Sequence, residues 1–323
     1  MMGLWRLQLG GLMVITAYIQ ALCASDICSE EVARLREQER LLKIQLQDQE
    51  LLLQKLRHQN QPDHKAGAGS DQNQDTLHTD CSQLFSSGSK SSGSYRIRPL
   101  SSPSPLRVYC DMSDGGGWTV IQRRINGTQR FDRSWAEYKA GFGDMEAERG
   151  EFWLGNDKLH DITTQGNYSL RIILEDFDGN LRYAEYRNVR VASEKDQYRL
   201  NFGAYVGTAG DALSGTYETG VSDWASHQGM KFSTYDQDND KYGGNCAKED
   251  SGGWWFNRCH SAHLNGRYYR NGHYSAVTDD GIVWYPWRGW WYSLKTSIMK
   301  LRPNDYRPDP VDDPNTVQQR QTD

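Results

Sequence analysis

The stretch Asp236-Gln237-Asp238-Asn239-Asp240-Lys241-Tyr242-Gly243-Gly244-Asn245-Cys246, continued by Trp254-Trp255-Phe256-Asn257-Arg258-Cys259-His260, decides how the sequence is read. Three carboxylates alternate, and a Gly pair then lets the backbone turn. Calcium takes about six to eight oxygen ligands from carboxylates, carbonyls and water. Asp236, Asp238 and Asp240 offer carboxylates to one centre, and Tyr242 and Gly244 offer backbone carbonyls where the backbone turns. The EF-hand template does not fit, because its glycine position would be Lys241 and its closing glutamate Ala247. A different calcium loop is needed; the plain alternative is a solvated acidic turn. Cys246 and Cys259 flank the rest of the segment, so the reading is a calcium loop locked to a disulfide.

The whole sequence agrees with an oxidising compartment. Of its 323 residues, Arg6 followed by Leu12-Met13-Val14-Ile15-Thr16-Ala17-Tyr18-Ile19 and the small residues around Ala21-Leu22-Cys23-Ala24 reads as a signal peptide over 1–24. A membrane anchor is the alternative, but the apolar run is short and bounded by Gln8 and Gln20. The expectation is a secreted, extracellular protein without membrane insertion of the mature chain. Six Cys are present; Cys23 leaves with the signal, and an odd remainder points to one intermolecular bond. Cys81, Cys110, Cys246 and Cys259 allow three connectivities. The sequence does not choose among them, and two local loops are the simplest arrangement. Oxidised thiols also weaken a zinc reading of Cys246, Cys259, His260 and His263. A formal net charge of -5 offers no basic footprint for nucleic acid. Eleven Trp and 18 Tyr make a core feasible at a modest hydrophobic content of 37%.

Outward from the opening stretch, residues 25–58 read as a short coiled coil. Val32, Leu35, Leu42, Leu46, Leu53 and Leu56 fit an a/d register, and Glu39 and Gln49 break it. Cys28 stands at the start of this segment, just before its first turn, so a parallel pair would join two chains there. A Cys28-linked homodimer is the expectation, with higher oligomers left open; gel migration unchanged by reductant would contradict it. Residues 59–78 read as a flexible linker and 307–323 as a disordered tail, both polar and poor in apolar residues.

Between them, 79–306 is a globular α+β domain of short strands and helices without βαβ rhythm. Val108-Tyr109-Cys110 and Trp118-Thr119-Val120-Ile121 flank a hairpin-like turn at Ser113–Gly117. Residues 168–174 and 183–187 are further strands around Asp178-Gly179-Asn180. Trp135–Ala140 followed by Gly141 is a short helix with a glycine stop. Asn126-Gly127-Thr128 and Asn167-Tyr168-Ser169 match the N-glycosylation pattern, Asn126 in the more turn-like setting.

Over about residues 79–306 the sequence resembles the fibrinogen-like C-terminal domain family. The motifs that carry this are Tyr109-Cys110-Asp111-Met112, Gly115 through Arg124, Phe152-Trp153-Leu154-Gly155-Asn156 and Met230-Lys231-Phe232-Ser233-Thr234. Asp238-Asn239-Asp240 to Cys246, Gly253 through His260, and Trp290-Trp291-Tyr292-Ser293-Leu294-Lys295 continue them. The resemblance implies disulfides Cys81–Cys110 and Cys246–Cys259. It implies calcium on the side chains of Asp238 and Asp240 and the carbonyls of Tyr242 and Gly244, with Asp236 behind them. It also implies a ligand pocket beside the loop, walled by His260 and a cis Arg258–Cys259 peptide. Glu249, Asp250 and Asp279 match positions that hold the amine end of a peptide knob in fibrinogen gamma. Trp290 departs from that pattern, since fibrinogen gamma has a basic residue there, and this weighs against a fibrin-knob role. Lectin-like relatives bind acetyl groups in the same region, for which Tyr268, Tyr269 and Tyr274 are candidate walls. Most of the Trp and Tyr rings are expected in the core.

Within the family, one early Cys, a short coiled coil and a single domain resemble its small secreted members. This implies a hepatocyte growth and metabolic factor and an inhibitory ligand of the lymphocyte-activation gene 3 receptor on T cells. The alternative is an innate-immune lectin for acetylated glycans. An enzyme is not expected. Nucleophile-elbow, zinc-protease and phosphate-loop motifs are missing from the sequence, and a disulfide-bonded Cys259 sulfur is no nucleophile.

Overall fold

Residues 77–147 and 149–307 are described by the computed structural model of the protein. The signal peptide, the coiled coil with Cys28, nearly all of the linker and all but the first residue of the tail lie outside the described residues.

The described part enters through helix α1 (Cys81–Ser86), which starts where the Asp80 carboxylate accepts from the N–H groups of Ser82 and Gln83. Strands β1 (Gly93–Ile97), β2 (Leu106–Asp111) and β3 (Trp118–Arg124) follow as an antiparallel meander. The β2–β3 turn is the expected one. Gly115, Gly116 and Gly117 all take positive φ, and α1 packs so tightly on them that a Cβ on Gly116 would strike the Phe85 ring. Helix α2 (Trp135–Ala140) opens with a reciprocal Ser134–Glu137 capping box and stops at Gly141, φ 93°. Strands β4 (Phe142–Gly143) and β5 (Phe152–Trp153) pair with each other, and β5 also pairs with β3. Helix α3 (Asn156–Thr164) leads to the long strands β6 (Tyr168–Glu175) and β7 (Leu181–Val191), then short β8 (Leu200–Asn201) and β9 (Tyr205–Gly207).

Beyond β9 the backbone is mostly loop. Short helices α4 (Ser222–Ala225) and α5 (Cys246–Glu249), a small ladder of β10 (Ala262–His263) with β11 (Val283–Trp284), and helix α6 (Tyr285–Arg288) punctuate it. The final strand β12 (Thr296–Pro303) returns to insert between β3 and β6, antiparallel to both. The main sheet therefore runs β1-β2-β3-β12-β6-β7-β8. Antiparallel pairing with separate short helices is the α+β architecture the sequence predicts.

Residues 208–295 thus form a loop-rich lobe carried by a sheet. All seven residues of β3 are buried, because β3 is covered on both faces, whereas β2 alternates buried and exposed positions. Disulfide Cys81–Cys110 ties α1 to β2, and Cys246–Cys259 ties α5 to the segment before β10, each with Cα atoms 5.5 Å apart. The two local loops are thus the connectivity found. Trp153, Trp254, Trp255, Phe232 and Tyr138 interlock between sheet and lobe, with centroid spacings from 5.0 to 6.0 Å. Among the tryptophans from Trp224 to Trp291, only Trp254, Trp255 and Trp284 are buried. Trp287 packs against the core beside them, as the expectation of mostly core rings requires. Trp224, Trp290 and Trp291 lie at or near the surface and line a cleft.

Candidate functional site

The acidic loop is fastened to the core before it offers any ligand. Asn239 donates from its backbone to Ser233 Oγ at 2.9 Å and from its side chain to the Phe232 carbonyl at 2.8 Å. Lys241 N donates to the Asn257 carbonyl at 2.9 Å. Asp236 is used inside the fold: its Oδ1 accepts from the Trp135 N–H of α2 at 2.9 Å and from Thr234 Oγ1 at 2.7 Å. Asp238 accepts from Asp240 N at 3.1 Å. Asp240 accepts from Tyr242 N at 2.8 Å with one oxygen and from Cys246 N at 2.9 Å with the other. Its carboxylate therefore links the loop to the first turn of α5 and to the disulfide.

Burial pushes the Asp240 carboxyl up to about 6, and the Asp238 carboxylate adds to this against the two N–H donors. Two carboxylates thus converge in this loop. Among the described residues, the Tyr242 and Gly244 carbonyls receive no hydrogen bond, and both residues are exposed. Two hard carboxylates and two free carbonyls, open to water, form a donor set that fits calcium. Asp238, Asp240, Tyr242 and Gly244 are the residues that would hold it, and the ion would supply the charge that lets the carboxylates sit together.

Helix α5 carries the loop into a cleft of about 370 Å³. Asn245 caps α5 through Lys248 N at 2.8 Å, and the helix delivers Glu249 and Asp250 to one side. On the other side the Arg258–Cys259 peptide is cis, and Arg258 N donates to the Trp224 carbonyl at 2.8 Å. His260 follows, 2% exposed, with Nε2 at 3.5 Å from both Asp250 Oδ2 and Asp279 Oδ2. Neither ring nitrogen of His260 has a hydrogen-bond partner. Burial pushes the Asp250 carboxyl up to about 6; His260 opposes this, while Asp279 and Glu249 reinforce it. The walls are aromatic. Trp224 and Trp290 lie 6.2 Å apart between centroids, Tyr285 backs Trp290 at 3.7 Å, and Trp291 and Tyr242 stand half-exposed at the mouth. Thr278 Oγ1 closes the rim by donating to the Glu249 carbonyl at 2.9 Å.

Glu249, Asp250, Arg258, Cys259, His260, Asp279 and Trp290 are thereby brought together around one cleft. Tyr268 and Tyr274, expected as walls, do not line it, and neither does Tyr269. Tyr274 stacks on Tyr269 at 4.2 Å, because Gly281 leaves room for its ring, and donates to the Trp290 carbonyl at 2.7 Å. It braces the wall from behind. Tyr268 faces a second cleft of about 390 Å³ with Arg124 and Arg267. Trp224, Thr278, Trp291 and the Tyr242 ring escape the sequence reading. Trp291 has a signal in its pairing with Trp290, whereas Trp224 has none, being placed by the Arg258 backbone bond.

The two sequons differ in setting. Asn126 is half-buried in a loop wrapped on the buried Glu151 carboxylate, which accepts from Ile125, Asn126, Gly127 and Gln129 N. Its Oδ1 accepts from Thr128 N and Oγ1. Asn167 is exposed, but Ser169 is buried in β6. Among the described residues no helix is long and apolar enough to cross a membrane.

Comparison with known proteins gives this geometry its relatives. The family model of the fibrinogen beta and gamma chains, C-terminal globular domain, matches residues 77–304. Fibrinogen-like protein 1 of Bos taurus is 52% identical over 306 residues, which is 93% of this chain and 98% of that protein. The fibrinogen-like globe domain of human ANGPTL2 superposes with a TM-score of 0.65 at 42% identity, covering 70% of this chain and 99% of the other. Lamprey fibrin D-dimer, complexed with the peptide Gly-His-Arg-Pro-amide, superposes with a TM-score of 0.69 at 38% identity, covering 92% of this chain and 95% of the other. The protein belongs to the family defined by the C-terminal globular domain of fibrinogen beta and gamma.

Proposed function

We propose that the protein is a secreted, Cys28-linked homodimeric ligand whose domain recognises a positively charged group of an extracellular partner in the Trp224–Trp290 cleft. The observation that supports this most is the pairing of an acidic floor with aromatic walls: Asp250 and Asp279 beside His260, under Trp224, Trp290 and Trp291. Carboxylates attract a cation, and indole faces hold it where water is displaced. The peptide carried by the related lamprey structure has a cationic amino terminus as well as an arginine, and its amide end needs no basic partner. Trp290 is then suited to the cation and not to a carboxylate. Calcium in the 238–244 loop acts as a brace, since Asp240 is bonded to Cys246 and through the disulfide to Cys259.

The relation to fibrinogen-like protein 1 supports the finer reading, a hepatocyte growth and metabolic factor and an inhibitory ligand of the lymphocyte-activation gene 3 receptor. The glycan reading has less support, because the tyrosines it would use lie outside the cleft. The test is binding of the full-length protein to that receptor's ectodomain in calcium buffer. Asp279→Asn and Trp290→Ala should each weaken it about tenfold or more, as truncation of central contact residues does. Unchanged affinity in both variants would move the recognition surface elsewhere.

A further inference from the structure

We propose that Asp250, His260 and Asp279 form a binding site for a divalent transition cation, zinc above all, distinct from the calcium loop. Their donor atoms all lie within 4.8 Å of one another. His260 Nε2 is 3.5 Å from an oxygen of each carboxylate. Zinc bonds of about 2.0–2.1 Å in a tetrahedron space neighbouring donors about 3.3–3.4 Å apart. Both spacings measured from His260 meet that requirement after a shift of about one or two tenths of an ångström, while the two carboxylates, within 4.8 Å, would have to draw closer to share the ion.

The imidazole supplies a second, independent sign. His260 is 2% exposed, and neither ring nitrogen has a hydrogen-bond partner, although buried polar atoms nearly always have one. At 3.5 Å, Nε2 is aimed between the two carboxylates without being firmly bonded to either. A nitrogen donor makes the trio unsuited to calcium, which takes oxygen, and suits it to zinc. Two carboxylates and a neutral imidazole also match a divalent charge.

Three protein donors leave the fourth zinc position open, and the trio lines the cleft. The metal would reverse the preference of the floor. Without it, the floor attracts an organic cation; with it, the floor offers a bond to a partner's carboxylate or carbonyl oxygen. Zinc and an organic cation are then alternative occupants. This inference goes beyond the cationic-group reading and does not need it.

The experiment titrates the full-length protein, stripped with chelator and reloaded with excess calcium, with zinc chloride in a calorimeter. No peptide is present, so the outcome is independent of partner binding. One zinc per molecule of this sequence is expected, with affinity lowered at least about tenfold in Asp279→Asn and in His260→Gln. The Asp279 side chain is about one-third exposed, so its variant reports even where His260→Gln misfolds. Cobalt(II) in place of zinc should give the visible absorption of a tetrahedral site, lost in Asp279→Asn. Absence of zinc binding would overturn the proposal and leave His260 as a buried ring packed between two carboxylates. Binding of equal strength in Asp279→Asn would overturn it too, by assigning the metal to histidines elsewhere.

Discussion

Asp236 Oδ1 accepts from the Trp135 N–H, so the first carboxylate of the acidic run serves the start of α2. Asp240 instead lies half-buried against Asp238. Substitution should separate these roles. Asp236→Ala should lower stability by about 1 kcal/mol and leave calcium stoichiometry intact. Asp240→Ala should abolish calcium binding and the rise in melting temperature that calcium gives. Calorimetry with thermal melts reads both, and calcium lost equally in the two variants would contradict the assignment. His227 makes a second residue-scale prediction. Its Nδ1 meets the Trp255 carbonyl at 2.8 Å and its Nε2 accepts from Ala262 N at 3.2 Å. Burial pushes its pKa down to about 3, and buried His263 shifts in the same direction. A folded-state value below the unfolded one means that the unfolded protein takes the proton first. Stability should hold above about pH 6.5 and fall below it by about 1.4 kcal/mol per pH unit for His227 alone. Urea unfolding at about pH 7 and about pH 5.5 checks this; equal stability would contradict it.

At the scale of elements, local chemistry decides what is legible. The β2–β3 hairpin is readable because three successive glycines demand a turn, and α2 because Gly141 stops it. Ser134→Ala removes half of the α2 capping box and should cost about 1 kcal/mol, a melting shift of about 2–4 °C by calorimetry. No shift would mean that the tertiary bond from Asp236 suffices to start the helix. Helix α3 has no comparable signal, since Gly155 provides no side-chain cap. The insertion of β12 between β3 and β6 is equally hidden. Its partners are distant in sequence, and their pairing follows from which faces are buried, not from a turn. Tyr274 misleads for a related reason. A tyrosine beside a pocket motif looks like a wall, but the room left by Gly281 sends its ring behind Trp290.

Across the whole molecule, the sheet fixes a frame, and the lobe on it gathers a site from segments distant in sequence. Glu249, Asp250 and the Cys-His pair are legible because they sit in or near one motif, and Asp279 only through the family resemblance; Trp224 and Thr278 are not, because only the fold brings them there. The proposed occupant of this acidic, aromatic cleft is a positively charged group. The most direct measurement is calorimetric titration of the calcium-loaded full-length protein with Gly-His-Arg-Pro-amide and with its N-acetylated form, repeated on Asp279→Asn. One peptide per cleft is expected for the free-amine form, weakened about tenfold or more by acetylation or by the substitution. Absence of binding, or binding indifferent to both changes, would contradict it.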